Sequence, residues 1–361
     1  MQYRALGLMS GSSLDGLDLC YAVFDVSGAN WTYQIEAAAC YPYSAEWTDR
    51  LQQATLLPAR LYMQLHTDYG HLLGQFVQQF IDAHQLDYKI QLIGSHGHTT
   101  FHAPDTHMTH QLGDGAALAA TTGINVVSDL RAVDIALGGQ GAPIVPIGEK
   151  LLFSDYNLFL NLGGIANISV NQAAYTAFDV CPANRVLNLL AQKAGLSFDA
   201  GGDLARQGNI HIPLLQQLNA LYYYQLPHPK SLANEFGTET VFPLIQQSGI
   251  AVPDALRTMV EHIAIQIQKS VIAAITSSAN NMHMLVTGGG AFNTFLVERI
   301  CELLPHIKIT IPDAALVQYK EALIMALMAV LRWREEDNVF HSVTGARRSS
   351  VGGAVWMGQE W

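Results

Sequence analysis

The chain has 361 residues, half of them hydrophobic and 14% charged, with a formal net charge of −11 at pH 7. This composition supplies apolar material for about two domain cores and excludes an intrinsically disordered chain. The 19 lysines and arginines form no basic run, so the sequence predicts no nucleic-acid partner and no binding to an anionic membrane surface.

The cysteines and the apolar runs predict a cytoplasmic protein. Cys20, Cys40, Cys181 and Cys301 lack the spacing of a disulfide framework or of a zinc ribbon. The first residues lack the basic segment and the apolar core of a secretory signal, and no uninterrupted apolar stretch is long enough to span a bilayer.

The first predicted element is a hairpin over residues 6–24, in which two apolar runs enclose a turn of small, hydrogen-bonding residues. Gly11 and Gly16 permit backbone angles that other residues avoid, and successive N–H groups in such a turn can form an anion-binding concavity. Asp15 and Asp18 would suit a divalent cation beside a phosphate. The turn therefore predicts a nucleotide-phosphate and magnesium site, although the residues alone equally allow an ordinary hairpin with a polar loop.

Strand-like and helix-like segments alternate along the rest of the chain, which predicts an α/β fold. Apolar residues at spacings of three and four predict helices, at residues 71–85, 256–275 and from about 321 onwards. Short apolar runs predict buried strands, at residues 90–95, 125–128, 158–162 and 284–287.

The strand–turn–strand pattern of the N-terminus recurs about one domain length later. Residues 158–170 place Gly163 and Gly164 between two strands, and residues 284–293 place three glycines between a strand and a helix. Three glycine turns after apolar strands predict two similar lobes around one nucleotide. We expect the chain to cross between the lobes near residues 129–143, whose glycines suit a hinge.

These turns resemble those of the sugar kinase/actin/heat-shock ATPase superfamily, and within it the chain resembles the anhydro-N-acetylmuramic acid kinases. The resemblance extends over essentially the whole chain and rests on segments in the same order, at residues 7–18, 94–102, 111–115, 129–146, 161–169, 178–184, 286–293 and 320–327. It implies a duplicated, ribonuclease H-like (actin-like ATPase) two-lobe α/β fold with the nucleotide in the cleft between the lobes. We predict an N-terminal lobe of residues 1–128 plus 345–361 and a C-terminal lobe of residues 129–344.

The family's activity, which the resemblance implies for this chain, is that of a phosphotransferase with an alcohol acceptor. In that reaction ATP, with Mg²⁺, phosphorylates O6 of 1,6-anhydro-N-acetylmuramic acid while water opens the anhydro ring. The product is N-acetylmuramic acid 6-phosphate, an intermediate in peptidoglycan recycling and amino-sugar metabolism. The expected partner is therefore a small sugar, and a homodimer is expected because it is the commonest oligomer.

Asp179, in the segment FDVCPAN, matches the family's catalytic aspartate, which implies that it takes the proton of the attacking water. The residues alone favour another role, because an aspartate shortly before a helix commonly caps that helix. The sequence also departs from the family here, with Asp-Val-Cys-Pro in place of the usual Asp-Cys-Gly-Pro, so the backbone path around Asp179 stays open.

The resemblance assigns the nucleotide contacts to the three glycine turns. The first turn contacts the β- and γ-phosphates through Gly11, Ser12, Ser13, Leu14, Asp15, Gly16, Leu17 and Asp18, of which Asp15 and Asp18 are the metal ligands. The second turn supplies opposing phosphate contacts, from Gly163, Gly164 and Asn167, and the third lines the adenosine pocket, with Gly288, Gly289, Gly290 and Asn293. On the residues alone, the glycine triplet could also be a plain strand-to-helix turn.

The residues that the resemblance assigns to the sugar have polar or charged side chains and are His96, Arg131, Gln140, Asn184 and Glu321. An arginine suits the lactyl carboxylate of a muramic sugar, and the alternative for Arg131 is a surface salt bridge with Asp129 or Asp134. Glu321 would face the sugar or the metal, and its alternative is an exposed glutamate in the first turn of a helix.

A histidine cluster allows a metal-site interpretation. Five histidines fall within fifteen positions, at His96, His98, His102, His107 and His110. Their spacing is not that of a helical i, i+4 pair, and no cysteine is nearby, so a zinc site is disfavoured. The resemblance instead implies that His96 is a wall of the substrate pocket.

Two other functions stay open on the sequence. An ordinary sugar kinase of the same superfamily would phosphorylate a hydroxyl of another amino sugar without cleaving a ring. A chaperone or filament protein with an actin-like ATPase fold would hydrolyse ATP without a sugar, although the chain is short and has no separate peptide-binding domain.

Overall fold

The chain folds as two units, each with its own sheet. Unit 1 comprises Met1–Ser154 and Tyr319–Trp361, and unit 2 comprises Asp155–Gln318. The computed structural model describes residues 1–11, 14–172, 175–228, 230–233, 235–275 and 282–358.

The strands are β1 (Gln2–Ser10), β2 (Gly16–Ser27), β3 (Asn30–Pro42), β4 (Leu92–Ser95), β5 (His98–Ala103), β6 (Met108–Leu112), β7 (Asn125–Ser128), β8 (Leu158–Leu162), β9 (Ile165–Val170), β10 (Thr176–Pro182), β11 (Met282–Thr287), β12 (Ile307–Thr310) and β13 (Ala354–Trp356). The α-helices are α1 (Ala45–Gln52), α2 (Ala59–His84), α3 (Gly115–Thr122), α4 (Ala132–Ala136), α5 (Pro146–Leu152), α6 (Asn184–Lys193), α7 (Asp203–Gln207), α8 (Ile212–Asn219), α9 (Phe242–Gln247), α10 (Val252–Ala274), α11 (Thr294–Leu303), α12 (Ala314–Trp333) and α13 (His341–Thr344). Short 3-10 turns lie at Ala54–Leu56, Pro104–Thr106, Ala200–Gly202, Tyr222–Gln225 and Gly289–Phe292, and a π-helical turn lies at Phe236–Val241.

The two larger sheets share one topology, and β5 and β6 form a separate two-stranded sheet. In unit 1 the strand order is β13-β7-β4-β1-β2-β3, and in unit 2 it is β10-β9-β8-β11-β12. In each sheet the first three strands form an antiparallel meander, and the next two strands of the sheet run parallel to the first. Each unit therefore has the 3-2-1-4-5 order of a ribonuclease H-like fold, with β13 added at one edge of unit 1. The predicted duplicated α/β fold is confirmed.

Each unit has its own hydrophobic core, because one face of each sheet is covered by a long helix. In unit 1, α2 contacts α3, β2 and β3, and its Leu65, Tyr69, Leu73, Val77 and Phe80 are fully buried at spacings of four and three. In unit 2, α10 packs on β9, β10, α6, α8 and α11. α2 begins twelve residues before the predicted residue 71, because Leu65 and Tyr69 continue the apolar stripe.

α12 packs against the backbone of the unit 1 sheet. A Cβ atom on Gly7 would lie 1.7 Å from the carbonyl oxygen of Ala322, and one on Gly94 would lie 2.1 Å from that of Met325. Only glycine therefore lets the helix approach β1 and β4 this closely. The helix begins at Ala314, earlier than the predicted residue 321, and the side chain of Asp313 accepts a hydrogen bond from the N–H of Leu316 (2.8 Å) in its first turn.

α12 is long and apolar enough to span a membrane. No other helix in the described part of the chain has both properties. Of its apolar window, 72% is buried inside the protein, which is typical of a core helix.

The division into units differs from the predicted boundaries after residue 128 and before residue 345. Residues 129–154 and 319–344 both belong to unit 1. A buried ion pair joins Lys320 to Glu149 (3.1 Å), and the hydroxyl of Thr344 donates to Asp134 (2.7 Å). These contacts, together with the packing of α12, tie both segments to the first sheet.

Candidate functional site

The first glycine turn joins β1 to β2 in unit 1, and Ser12 and Ser13 lie outside the described residues. Leu14, rather than Gly16, has a positive φ, of 55°. The reason for a glycine at position 16 is instead the neighbouring strand, because a Cβ there would lie 2.6 Å from the carbonyl oxygen of Tyr41. Gly16 therefore does not use the unusual backbone angles that a glycine permits.

Three carboxylates interact electrostatically beside this turn. Asp18 is half-buried on β2, and burial raises its pKa to about 6, with further increases from the charges of Asp15 and Glu321. The thiol of Cys40, on the paired strand β3, donates a hydrogen bond to Asp18 and opposes that shift. Glu321 lies in the interior of α12, so its alternative role as a first-turn glutamate is wrong.

The donor set at this turn fits a divalent cation such as Mg²⁺. Asp15 and Asp18 offer hard oxygen ligands, and the mutual repulsion that raises the pKa of Asp18 would be relieved by a cation. Within the described ranges, no group of three or more His, Cys, Asp or Glu side chains is arranged to hold a metal. Magnesium commonly uses one or two carboxylates and completes its shell with water and substrate phosphates, so two aspartates are enough.

Arg131 and His96 form a buried pair in unit 1. Arg131 Nε donates to His96 Nε2 (2.9 Å), so His96 carries its proton on Nδ1 and donates to the carbonyl of Gly97 (2.9 Å). Burial and the nearby guanidinium lower the pKa of His96 to about 3, which keeps it neutral. Burial lowers the pKa of Arg131 to about 10, against the opposing charge of Glu321.

The hydrogen bonds of Arg131 leave part of its guanidinium available. Its Nη1 donates to the carbonyl of Gly141 (2.6 Å), and Nη2 donates to no described residue. Arg131 forms no ion pair with Asp129 or Asp134, although all three residues are described, so the surface salt-bridge alternative is wrong. The side chain of Gln140 is exposed, and its backbone N–H donates to Thr344 (2.8 Å).

The other histidines of the predicted cluster have separate partners. His98 bonds to Ser10 (3.2 Å), His102 to Thr109 (3.2 Å) and His110 to Tyr62 (2.7 Å). His107 is exposed after a 3-10 turn. Of the described residues, none of these imidazoles belongs to a metal-binding group, which leaves the zinc interpretation without support.

In unit 2, four polar residues lie in a row across neighbouring strands. Thr287 on β11 pairs with Asn161 on β8, which pairs with Asn167 on β9, which pairs with Asp179 on β10. Directly paired residues share one face of a sheet, and this face is opposite the core that contains Leu160. The Thr287 hydroxyl is buried without a hydrogen-bond partner among the described residues.

Two members of this polar row, Asn161 and Thr287, were not among the predicted site residues. The alternation of Leu158, Leu160 and Leu162 could have placed Asn161 on the opposite face of β8. The position of Thr287 follows only from the parallel pairing of β11 with β8, which no local pattern reveals.

Asp179 lies within β10, five residues before α6, so the helix-cap alternative is wrong. Its Oδ2 accepts a hydrogen bond from the N–H of Leu232 (2.8 Å), and Oδ1 accepts none from the described residues. Burial raises the pKa of Asp179, and the Leu232 N–H opposes this shift. A bulge at Val180 shifts the register between Asp179 and Cys181, which is where the sequence departs from the usual family motif.

The second glycine turn anchors the start of α6 through its carbonyl groups. Gly163 O accepts from Asn184 N (3.1 Å), and Gly164 O accepts from Ala183 N (2.8 Å). A Cβ on Gly163 would approach no atom closer than 3.4 Å, and one on Gly164 none closer than 3.8 Å. The protein's own packing therefore does not require glycine here, and the space is available to a ligand. The Asn184 amide donates to the carbonyl of Leu162 (2.9 Å).

In the third glycine turn, neighbouring atoms leave no room for a side chain at Gly288 and Gly290, whereas they leave room for one at Gly289. Gly288 has φ +81°, and a Cβ there would lie 2.5 Å from Asn161 Oδ1. A Cβ on Gly290 would lie 2.7 Å from Leu162 Cβ, whereas one on Gly289 would approach no atom closer than 3.9 Å. Asn293 caps α11, because its Oδ1 accepts from Leu296 N (3.0 Å).

The structure thus gathers the predicted residues into two sets, one in each unit. In unit 1, His96 bonds to Arg131, the charges of Asp15 and Glu321 both act on Asp18, and the charge of Glu321 also acts on Arg131. In unit 2, Asp179 and Asn167 share the polar row, and the second and third glycine turns lie at the ends of β8 and β11.

Solved structures with a similar fold have low sequence identity to this chain. The activator of the 2-hydroxyisocaproyl-CoA dehydratase from Clostridium difficile with bound ADPNP is 13% identical, with a TM-score of 0.48 over 92% of this chain and 96% of that one. Component A of the (R)-2-hydroxyglutaryl-CoA dehydratase from Acidaminococcus fermentans is 13% identical, with a TM-score of 0.47 over 91% and 97%.

Sequence relatives are much closer. A profile of the anhydro-N-acetylmuramic acid kinase family matches residues 3–358. An anhydro-N-acetylmuramic acid kinase from Sulfurovum sp. (strain NBC37-1) is 34% identical over 366 residues, which are 98% of this chain and 99% of the relative. Another, from Vibrio parahaemolyticus serotype O3:K6, is 34% identical over 368 residues, 97% of each chain. The predicted resemblance is confirmed, and the chain belongs to the anhydro-N-acetylmuramic acid kinase family.

Proposed function

We infer that this protein is an ATP-dependent kinase that opens 1,6-anhydro-N-acetylmuramic acid with water and phosphorylates O6, giving N-acetylmuramic acid 6-phosphate. Family membership over nearly the whole chain supports this phosphotransferase activity. The observation that carries the mechanism is Asp179, a half-buried carboxylate in the polar row with one oxygen held by a backbone N–H and the other available.

The reaction needs one base and one phosphoryl acceptor. Water adds to C1 of the sugar, the bond from C1 to O6 breaks, and Asp179 Oδ1 takes a proton from that water. The released O6 forms a bond to the γ-phosphorus as the bond from that phosphorus to ADP breaks. Asp179 must be ionised for the first step, so the Leu232 N–H that favours the ionised form supports the role of base.

We assign the phosphate contacts to the glycine turns of both units. The open space over Gly163 and Gly164 would let phosphate oxygens approach the backbone, and Gly289 offers similar space for the nucleotide at the third turn. Asn167 and Asn293 remain the proposed amide contacts, and Leu14 and Leu17 flank the turn of unit 1. Asp15 and Asp18 would hold Mg²⁺, which neutralises charge on the phosphates when it is bound.

Arg131 is our candidate for the lactyl carboxylate of the sugar, because its guanidinium is buried and charged and its Nη2 donates to no described residue. His96 orients this guanidinium through the Nε–Nε2 hydrogen bond. Gln140 and Glu321 are proposed sugar contacts. Asn184 is proposed to act indirectly, by holding the second glycine turn in place. A homodimer in the cytoplasm, acting in peptidoglycan recycling, completes the proposal.

The reaction itself is tested with heavy-oxygen water. Incubation with ATP and the anhydro sugar should release ADP and place one heavy oxygen on C1 of the phosphorylated product, as measured by mass spectrometry. An ordinary sugar kinase would form a phosphate ester without label at C1. Release of ADP that ignores the sugar but responds to unfolded peptide would contradict the proposal in favour of a chaperone.

A further inference from the structure

A segment of unit 2 follows the outer edge of β10 and contacts Asp179 at three points. We call this segment, residues 223–232, the strap; its Pro229 lies outside the described residues. Among the described residues, β10 is the last strand on its side of the unit 2 sheet, so no described strand pairs with the outward backbone groups of Asp179. The strap supplies their partners: Asp179 N donates to Lys230 O (3.0 Å), and Tyr223 Oη donates to Asp179 O (2.7 Å).

The third contact reaches the carboxylate itself, where the N–H of Leu232 donates to Asp179 Oδ2 (2.8 Å). Two bonds to the backbone of Asp179 and one to its side chain fix both the position of the residue and the rotation of its carboxylate. The strap therefore selects which oxygen stays available.

Tyr223 is held in place from several sides. It is buried, and Lys230 Nζ both donates to its carbonyl (3.0 Å) and lies 4.5 Å from the centroid of its ring. The ring also packs against Phe236, with 5.5 Å between centroids, at the start of the π-helical turn. The hydroxyl that contacts Asp179 thus has a fixed position, because the ring cannot move without breaking these contacts.

We propose that Tyr223 is a positioning residue for the base: through its bond to the Asp179 carbonyl it keeps the strap seated, with Leu232 N–H on Oδ2 and Oδ1 free for the proton of the attacking water. This inference rests on the proposed role of Asp179. It adds to that role a residue that acts through the position of Asp179.

The strap matters because Asp179 lies in surroundings that oppose its charge. Burial raises the pKa of its carboxyl, and the Leu232 N–H acts in the opposite direction. If the strap loosens, this donor is weakened and the pKa of Asp179 rises further, so less of the base is ionised at a given pH.

Other titratable groups lie near the strap, so the experiment has to read the Asp179 carboxyl itself. They are Tyr223, His228 and Lys230 on the strap, Cys181 on β10, His262 on α10 and the exposed Glu239 on the π-helical turn. The ring of His228 stacks on that of Phe178, next to Asp179, with 4.9 Å between centroids. Burial raises the pKa of both Tyr223 and Cys181 far above neutrality, and burial lowers the pKa of His262 to about 3. Burial lowers the pKa of Lys230 from its basic starting value.

Three consecutive tyrosines provide matched variants. Tyr222 is 73% exposed and precedes the strap, whereas the hydroxyl of Tyr224 bonds to Nε2 of the buried His262 (2.9 Å). Replacing each by phenylalanine removes one hydroxyl and keeps the ring. Tyr223→Phe removes the contact with Asp179, Tyr224→Phe removes a buried hydrogen bond elsewhere, and Tyr222→Phe removes neither.

The experiment measures the Asp179 carboxyl directly, by NMR titration of protein carrying ¹³C-labelled aspartate, with the signal assigned by its loss in Asp179→Asn. We expect Tyr223→Phe to raise the pKa of Asp179, to lower kcat about tenfold and to leave KM for ATP unchanged. The acidic limb of the kcat profile should move upward with the NMR value. Tyr222→Phe should match the wild type, and Tyr224→Phe should lower the melting temperature without moving the pKa.

Equal pKa and kcat values in Tyr223→Phe and Tyr222→Phe would overturn the inference. The NMR titration reports on the strap even if Asp179→Asn retains full activity, a result that would instead reject Asp179 as the base. If Tyr223→Phe does not fold, Lys230→Met loosens the same tyrosine by removing the Nζ contact. An unchanged Asp179 pKa in that variant would overturn the inference as well.

Discussion

At the residue scale, two carboxyls with raised pKa values, Asp18 and Asp179, lie in surroundings that suit different tasks. Asp18 has like charges nearby, from Asp15 and Glu321, which favours the binding of a cation. Burial is the main cause of the raised pKa for both carboxyls, and for Asp179 the opposing contact is the backbone N–H of Leu232, which suits the transfer of a proton. These surroundings support our proposal that one aspartate is a metal ligand and the other a base.

Asp179→Asn should keep ATP binding and lower kcat by orders of magnitude, because the amide cannot accept the proton of the water. In the wild type, kcat should fall as the pH drops through the raised pKa of Asp179, since only the ionised carboxylate is a base. A coupled assay for ADP, together with calorimetric titration of ATP, checks both points. Asp155→Asn, at an exposed position of unit 2, is the control, and an unchanged kcat in Asp179→Asn would contradict the assignment.

Asp18→Asn should stabilise the protein without Mg²⁺ by about 1 kcal/mol at neutral pH, after allowance for solvent screening. The folded-state pKa of about 6 lies above the usual 3.8, so the stability linked to protonated Asp18 is present below pH 3.8 and is lost as the pH rises through 6. The extra stability of Asp18→Asn over the wild type should therefore vanish at acidic pH. Thermal melts from pH 3 to 8 measure it.

The same variant tests the metal. Mg²⁺ should raise the melting temperature of the wild type at neutral pH and have little effect on Asp18→Asn, because one ligand charge is gone. Asp25→Asn changes an exposed aspartate on the same strand and should behave like the wild type. Equal responses to Mg²⁺ in the two variants would contradict metal binding at Asp18.

At the element scale, glycines in similar sequence patterns occur for different physical reasons. Gly288 and Gly290 are required by neighbouring atoms of the protein, whereas Gly163, Gly164 and Gly289 are not. A sequence shows only that these positions lack a side chain. The distinction depends on Asn161 and Leu162, which approach the third turn through the pairing of β8 with β11.

Gly163→Ala should fold with nearly normal stability and weaken ATP binding about tenfold or more, because its methyl group would occupy space meant for phosphate oxygens. Gly288→Ala should cost about 2–4 kcal/mol of stability, because its φ is positive and the methyl group would overlap the Asn161 amide. Urea unfolding and calorimetric titration of ATP separate the two effects. Normal ATP affinity in Gly163→Ala would argue against phosphate at this turn.

The elements that the sequence predicted well are those with an uninterrupted apolar pattern. β7, β8 and α10 match their predicted ranges within a few residues, because each buries a stripe of side chains on one core. The starts of α2 and α12 were predicted too late, since both helices begin in polar or mixed segments that tertiary packing stabilises. The polar row was not predictable from local patterns, because the pairing that aligns Asn161, Asn167 and Asp179 joins separate strands. The hydrogen bond from Leu232 to Asp179 likewise joins residues 53 positions apart.

At the scale of the whole molecule, the two sheets with one strand order explain the recurring glycine hairpins. The sequence echo between residues 6–24 and 158–170 was enough to predict the duplication. The boundaries between the units were not predictable from glycine content, because the residues that decide them are buried partners such as Glu149 and Lys320. The family assignment depended on many motifs in order, and the profile match over residues 3–358 confirms it.

Unit 2 is one continuous stretch with its own core, so the isolated fragment of residues 155–318 should fold independently. We expect helical circular dichroism, one cooperative thermal transition and protected amides in β8 and β11. A fragment of residues 1–154, which lacks α12 over β1 and β4, should not unfold cooperatively. An unfolded 155–318 fragment would contradict the independence of its core.

The burial of Gly7 and Gly94 beneath α12 has a consequence for synthesis on the ribosome. The strands that need this cover, β1 (Gln2–Ser10) and β4 (Leu92–Ser95), emerge long before the covering helix, which begins only at Ala314. Throughout that interval the uncovered face of the sheet is exposed to solvent, while unit 2, which is complete at residue 318, can fold first. Nascent chains stalled before residue 314 should therefore depend on chaperones far more than chains released after residue 333.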